Sequence, residues 1–184
     1  MERKIVFEGL SKKGNKIIIG YPTKDDAQIF CDYINALSRE KTFVRFQGEE
    51  IKLEDEIKYV KTQLERIVKK QTVELLVFCN NKLIGISSID MKDKTESHEG
   101  VFGISIAKDY RGEGIGKKFM QTVLEEAIKN IPQLRIITLG VFGDNPLAKS
   151  IYEKFGFKEY GRLPNGSLHK EKYVDHVYMY KSVK

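Results

Sequence analysis

An α/β (α+β) fold built on a mixed sheet is predicted by three features of the 184-residue sequence. Apolar runs joined by tight turns open the chain as hairpins. Longer segments with helical periodicity are interleaved with strand-like ones. In the middle, a strand, a helix and a second strand follow one another as a crossover. Hairpins give antiparallel neighbours and a crossover gives a parallel pair, so the sheet must be mixed. Hydrophobic residues at 41% supply a substantial core, and charged residues at 32% give a globular surface. No apolar run approaches the ~20 residues of a membrane span. The start "MERKIVFEG" has no signal-peptide apolar core, so a cytoplasmic home with no membrane partner is expected.

"KIVFEGLSKKGNKIIIGY" reads as a hairpin, Ile5 to Phe7 and Ile17 to Tyr21, with left-handed residues expected at Gly14 and Asn15. Thr23 is placed to cap a helix running to about Leu37, with Asp25 and Asp26 in its first turn. "FVRFQGEEIK" reads as a loop. A second helix follows from about Leu53 to Lys70, with Leu53, Ile57, Val60, Leu64, Ile67 and Val68 at helical spacing. "TVELLVFC" and "KLIGISSIDM" form a strand pair turned by Asn80 and Asn81. "GVFGISIA" is the next strand. A helix from Ile115 to about Ile131 points Phe119, Met120, Val123, Leu124 and Ile128 inward, and Pro132 ends it. "LRIITLGVF" is a strand, "DNPLAKSIYEKF" a short helix stopped by Gly156, and "FKEYGR" and "YVDHVYMYK" are final strands joined by the loop "LPNGSLHKE".

Cys31 and Cys79 sit in apolar surroundings and read as reduced core thiols. His98, His169 and His176 are too scattered to indicate a metal, and no Cys or His spacing resembles a zinc site. The net charge of +6 is spread among interleaved acids, which gives no organised basic face for nucleic acid.

One corner stands apart. In "AKDYRGEGIGKKFM", Gly112, Gly114 and Gly116 alternate between a buried strand and the first turn of a long helix, with Arg111, Lys117 and Lys118 beside them. Helix N-termini present unpaired N–H groups and partial positive charge, and glycines let a ligand approach the backbone. The stretch is a phosphate or pyrophosphate site by its chemistry. It is not a Walker loop, which would need glycine at Arg111, nor a dinucleotide fingerprint, which would need glycine at Lys117.

The stretch resembles the acyl-CoA pyrophosphate loop of the GNAT superfamily of N-acetyltransferases, Gln/Arg-x-x-Gly-x-Gly/Ala, matched by Arg111, Gly114 and Gly116. "NPLAKSIYEKFGF", Asn145 to Phe157, resembles the family's second signature, one helix and one strand further on. The resemblance runs from about Lys16 to Lys181 within a single domain spanning 1–184, and residues 1–15 form an extra N-terminal hairpin arm. It implies a mixed central sheet of about seven strands, flanked by about four helices, with a splayed pair of central parallel strands. Acetyl-CoA would lie between those strands as co-substrate, without a metal. Its pantetheine would follow Ile104, Ser105 and Ile106, and its pyrophosphate would meet Arg111, Gly112, Glu113, Gly114, Ile115, Gly116 and Lys117. Asn145 matches an asparagine that contacts the cofactor and also suits a helix cap.

Direct attack by an amine on the thioester is the reaction the resemblance implies. Tyr152 matches the family's general acid toward sulfur. Many relatives carry a glutamate base on the strand before the loop; Val101 stands there, and Glu99, two residues earlier on the same strand face, is the candidate instead, with His98 or a water route as alternatives. The acceptor site would be built by "SREKTFVRFQGEEIKLEDE", which carries Glu49, Glu50, Glu54 and Asp55, and by "LPNGSLHKEKYVDH". A small amine (polyamine or amino acid) or a protein or peptide amine fits, and the family also allows a homodimer. The competing reading is a catalytically silent acyl-CoA-binding module.

Overall fold

A computed structural model describes residues 2–183. Within them, eight strands form one sheet in the order β1-β2-β3-β4-β5-β6-β8-β7: β1 Ile5–Leu10, β2 Lys16–Gly20, β3 Thr72–Cys79, β4 Lys82–Met91, β5 Glu99–Ile106, β6 Ile136–Phe142, β7 Lys158–His169 and β8 Lys172–Ser182. Among the described residues four helices flank it: α1 Ala27–Arg39, α2 Leu53–Val68, α3 Ile115–Asn130 and α4 Pro146–Lys154. Every neighbouring pair is antiparallel except β5 and β6, joined by the α3 crossover. Among the described residues no helix is long and apolar enough to cross a membrane.

Both faces of the sheet are covered. On one, α3 lays Phe119, Met120, Val123 and Ala127 on Leu75, Ile89, Phe102, Ile137 and Leu139. On the other, α1 and α2 pack Phe30, Tyr33, Leu37 and Val60 on Leu76 and Leu83. Burial on both faces explains why β3 is almost continuously apolar rather than alternating.

Several sequence expectations are refined. The sheet has eight strands rather than about seven, because the arm's β1 continues it as an edge strand beside β2. At the arm's tip Gly14 has φ +82°, whereas Asn15 is not left-handed. Thr23 opens a single 3-10 turn, Lys24–Asp26, before α1 starts at Ala27. Asn80 and Asn81 are both left-handed, as a two-residue hairpin turn requires. In α2 the buried positions are Glu56, Val60 and Gln63, while Ile57 and Val68 are exposed. The helix is rotated toward a polar cluster on the sheet, Glu74 and Asp90, which it partners through Tyr59, Gln63 and Arg66. Ile128 is likewise exposed on α3.

"LPNGSLHKE" is not a loop. β7 continues through it to His169, with a register break between Leu163 and Ser167 where Asn165 turns left-handed, and the chain reverses only at Lys170–Glu171. Proline and glycine are tolerated there because β7 is the sheet's outer strand, where a bulge interrupts no second ladder.

Candidate active site

β5 and β6 pair only at Glu99–Ile136, Gly100–Ile137 and Val101–Thr138. Beyond Val101 they part, since β5 stays bonded to β4 up to Ile106 and β6 to β8 up to Phe142. The gap is a cleft of about 440 Å³ with a mainly apolar lining. Ile104, Ser105 and Ile106 of β5 form one wall, Asn145, Ala148, Ile151 and Tyr152 of the α4 region form another, and Thr42, Phe43 and Val44 cover it. Arg111 and Gly116 stand at its end.

The glycine stretch is held open by its own dihedrals. Gly112 and Gly114 both have φ +79°, and Gly114 caps α3 in the left-handed conformation. Gly116 borders the cleft, where any side chain would protrude into the space beside Ile106. Among the described residues the backbone N–H groups of Gly112 to Lys117 find no acceptor. A run of free donors at a helix N-terminus is an anion cradle.

The side chains of the stretch diverge. Ile115 is buried in the core. Glu113 turns away from the cleft into the arm, where its carboxylate accepts from Ser11 Oγ (2.9 Å) and Asn15 Nδ2 (3.2 Å) and pairs with Lys13 (3.1 Å). The Ser11 bond, with help from Lys13 and Asn15, holds its carboxyl below the usual range. Lys12 N–H donates to the Glu113 carbonyl, and the Lys12 side chain lies over Gly114. Lys117 borders the groove between arm and loop, and Lys118 sits over the Phe7 ring. The arm is therefore fastened to the back of the loop.

Arg111 donates from Nε to the Ile106 carbonyl at the strand's end and pairs through Nη2 with Glu40 at 2.6 Å, which ties the end of α1 to the loop. Asn145 caps α4 by accepting from Ala148 N–H, as a helix cap requires, and it also lines the cleft. Tyr152 packs edge-on to Phe102 (6.2 Å between centroids) and near Phe157 (6.1 Å), and burial pushes its phenol up to about 12. Ser105 accepts from the Tyr33 hydroxyl at 2.9 Å on the α1 side of the sheet.

Glu99 is not brought to the cleft. It starts β5 at the closed end, and Lys92 binds it at 2.8 Å. His98 precedes it and is exposed. Glu49, Glu50, Glu54 and Asp55 do not line the cleft either. The sequence reading missed Glu40, the Phe43 cover, and two histidines that strand pairing carries to this end of the sheet. His169 is buried against Phe43 (4.4 Å) with Nδ1 3.0 Å from Asp144, and His176 lies beside Gly140. Their only sequence signal is a spacing of seven residues across a two-residue turn, which β-pairing alone makes meaningful. Among the described residues no group of His, Cys, Asp or Glu could hold a metal.

The sequence matches the family described as Acetyltransferase (GNAT) family over residues 32–157. It is 30% identical over 117 residues to the L-amino acid N-acetyltransferase AaaT of Escherichia coli (strain K12), covering 62% of this chain and 72% of that protein. It is 36% identical over 86 residues to N-alpha-acetyltransferase 30 of Schizosaccharomyces pombe, covering 46% of this chain and 56% of that one. The fold superposes on the acetyltransferase of GNAT family from Streptococcus pneumoniae with a TM-score of 0.83 at 26% identity, over 91% of this chain and 99% of that one.

Proposed function

Because the chain belongs to the GNAT acetyltransferase family and is an N-acetyltransferase, we propose that it moves the acetyl group of acetyl-CoA directly to a primary amine, the whole chain acting as one domain with residues 1–15 as an added arm. The observation that carries this reading is the cleft left where β5 and β6 part after Val101, with free loop amides at one end and Tyr152 on its wall.

The residues present fit the co-substrate. An anionic pyrophosphate matches the N–H groups of Gly112 to Lys117, and Arg111 adds charge at the cleft's end. An extended pantetheine arm matches the open backbone edge of Ile104, Ser105 and Ile106, and Asn145 borders it. Tyr152 is the general acid. Its raised pKa keeps the phenol protonated at neutral pH, ready to give a proton to the departing sulfur.

The acceptor is a small amine or a peptide amine. The named relatives share one chemistry, the α-amine of a free amino acid or of a chain terminus, and this favours an α-amine here. The test is thiol release from acetyl-CoA against a panel of L-amino acids, spermidine and a peptide with a free N-terminus. Acceptor-dependent release is expected. Release with none of them, alongside acetyl-CoA binding by calorimetry, would favour a silent acyl-CoA-binding module.

A further inference from the structure

The mechanism above lacks a base. Two residues beyond the last β5–β6 pair, Val101–Thr138, lie Gly103 on β5 and Gly140 on β6. Strand periodicity puts both on the face that carries Val101 and Thr138. On that face Ser105 meets Tyr33 of α1, and Phe142 meets Phe43. The two diverging strands thus carry no side chain at the same level on that face, which leaves a slot there just past the point where the strands part.

The two glycines have different surroundings. A Cβ on Gly103 would meet nothing within 4 Å, so that side of the slot is open. A Cβ on Gly140 would come within 2.2 Å of His176 Nε2 and 2.9 Å of its Cε1. The imidazole occupies the space that any other residue at 140 would fill. Its other nitrogen, Nδ1, is 2.8 Å from Ser167 Oγ on β7, which fixes the ring and leaves Nε2 at the slot.

We propose that His176 is the base that takes a proton from the acceptor amine, and that the amine reaches the thioester through the Gly103–Gly140 slot. This rests on the acetyl-CoA reading above. An ammonium acceptor gives one proton to Nε2, making imidazolium. The freed lone pair on nitrogen forms the C–N bond as the carbonyl π pair moves to oxygen. When the C–S bond breaks, sulfur leaves with its electron pair and takes the Tyr152 proton. The second proton on nitrogen restores the Tyr152 phenol, and His176 releases its proton to water.

The surroundings suit that role. The groups facing His176 are Ser167 from β7, Gly140 and Phe142 from β6, and Tyr178 on its own strand, whose ring centroid is 4.7 Å away. The nearby His169–Asp144 pair is separated from it by the Phe142 ring. Asp175, the adjacent residue, is held by Arg162. Burial alone pushes the His176 imidazole down from its ordinary value, which favours the neutral form that a base needs.

The first test needs no acceptor. Bromoacetyl-CoA carries an alkylating carbon next to the thioester carbonyl. Nε2 attack forms an N–C bond and expels bromide, and mass spectrometry of the digest locates the adduct. The expected adduct is on His176, is prevented by excess acetyl-CoA, and is absent in His176→Gln. An unmodified His176 in protein that binds acetyl-CoA by calorimetry overturns this inference. Failure to bind acetyl-CoA overturns the underlying reading instead.

Kinetics give the second test. For each panel amine that supports thiol release, His176→Gln should lower kcat/KM by on the order of 100-fold. It should also remove the fall in rate on acidification that protonation of His176 causes, with acetyl-CoA affinity retained. Gly140→Ala, which drives a methyl into the imidazole, should do the same. Thermal melts check that both variants are folded. An unchanged pH profile in folded His176→Gln refutes the assignment.

Discussion

Glu74→Gln should make the protein more stable at alkaline pH and leave it nearly unchanged at pH 4.5. Glu74 lies on β3 at 1% exposure beneath α2. Its Oε1 accepts from the Tyr59 hydroxyl at 2.6 Å, while Oε2 has no partner among the described residues. Burial, more than the nearby Asp90 and Glu56, raises its pKa from 4.5 to about 8, although the Tyr59 bond and Arg66 oppose the shift. Between those two values the folded chain keeps a proton that the unfolded chain has lost. The sign follows from linkage: stability falls as pH rises from 4.5 through 8 and levels off above. At ~1.4 kcal/mol per pKa unit, the loss across that window amounts to about 4–5 kcal/mol, a large part of a domain's ~5–15 kcal/mol. A glutamine keeps the acceptor for Tyr59 and cannot ionise. Urea unfolding of both proteins at pH 4.5, 7 and 9 should show curves that coincide to about 1 kcal/mol at the lowest pH and diverge steadily above it. Parallel pH dependences would refute the claim that Glu74 is protonated in the folded protein.

Other perturbations probe the site. Tyr152→Phe should cut kcat by on the order of 100-fold while calorimetry finds acetyl-CoA affinity nearly unchanged; undiminished turnover would remove the general-acid role. Gly114→Glu forces a side chain onto a φ +79° residue and against Lys12 behind the loop, which distorts the turn that presents the loop amides, so acetyl-CoA binding should vanish in calorimetry. Glu113→Ala frees the loop from Ser11, Lys13 and Asn15. It should raise KM for acetyl-CoA several-fold with little change in kcat, and an unchanged KM would show that the arm does not organise the loop.

Much of this arrangement was legible because it is local. Alternating glycines before a helical stretch force a loop with free amides, whatever lies elsewhere in the chain. Asn145 and Pro146 start a helix by capping rules, and Gly156, at φ +86°, ends it. The failures were long-range. "LPNGSLHKE" carries every local sign of a loop, and only its position at the sheet's edge makes it a bulged strand. Ile57 fits the apolar period of α2, but the buried Glu74 and half-buried Asp90 on the facing sheet turn the helix to Gln63 and Tyr59. The sequence puts Glu99 on the correct strand, yet which end of the strand stays closed depends on where β6 stops pairing. His176 could not be tied to Gly140 from the sequence, since the contact depends on the β6–β8 register.

The central claim is transfer of acetyl to an amine nitrogen. Acetyl-CoA labelled with carbon-13 at the acetyl carbonyl, incubated with the protein, a mixture of L-amino acids and a peptide with a free N-terminus, follows that carbon by NMR. The account predicts that the thioester signal gives way to an amide signal bonded to an α-nitrogen. Label that stays in the thioester, or appears only as acetate, would contradict it.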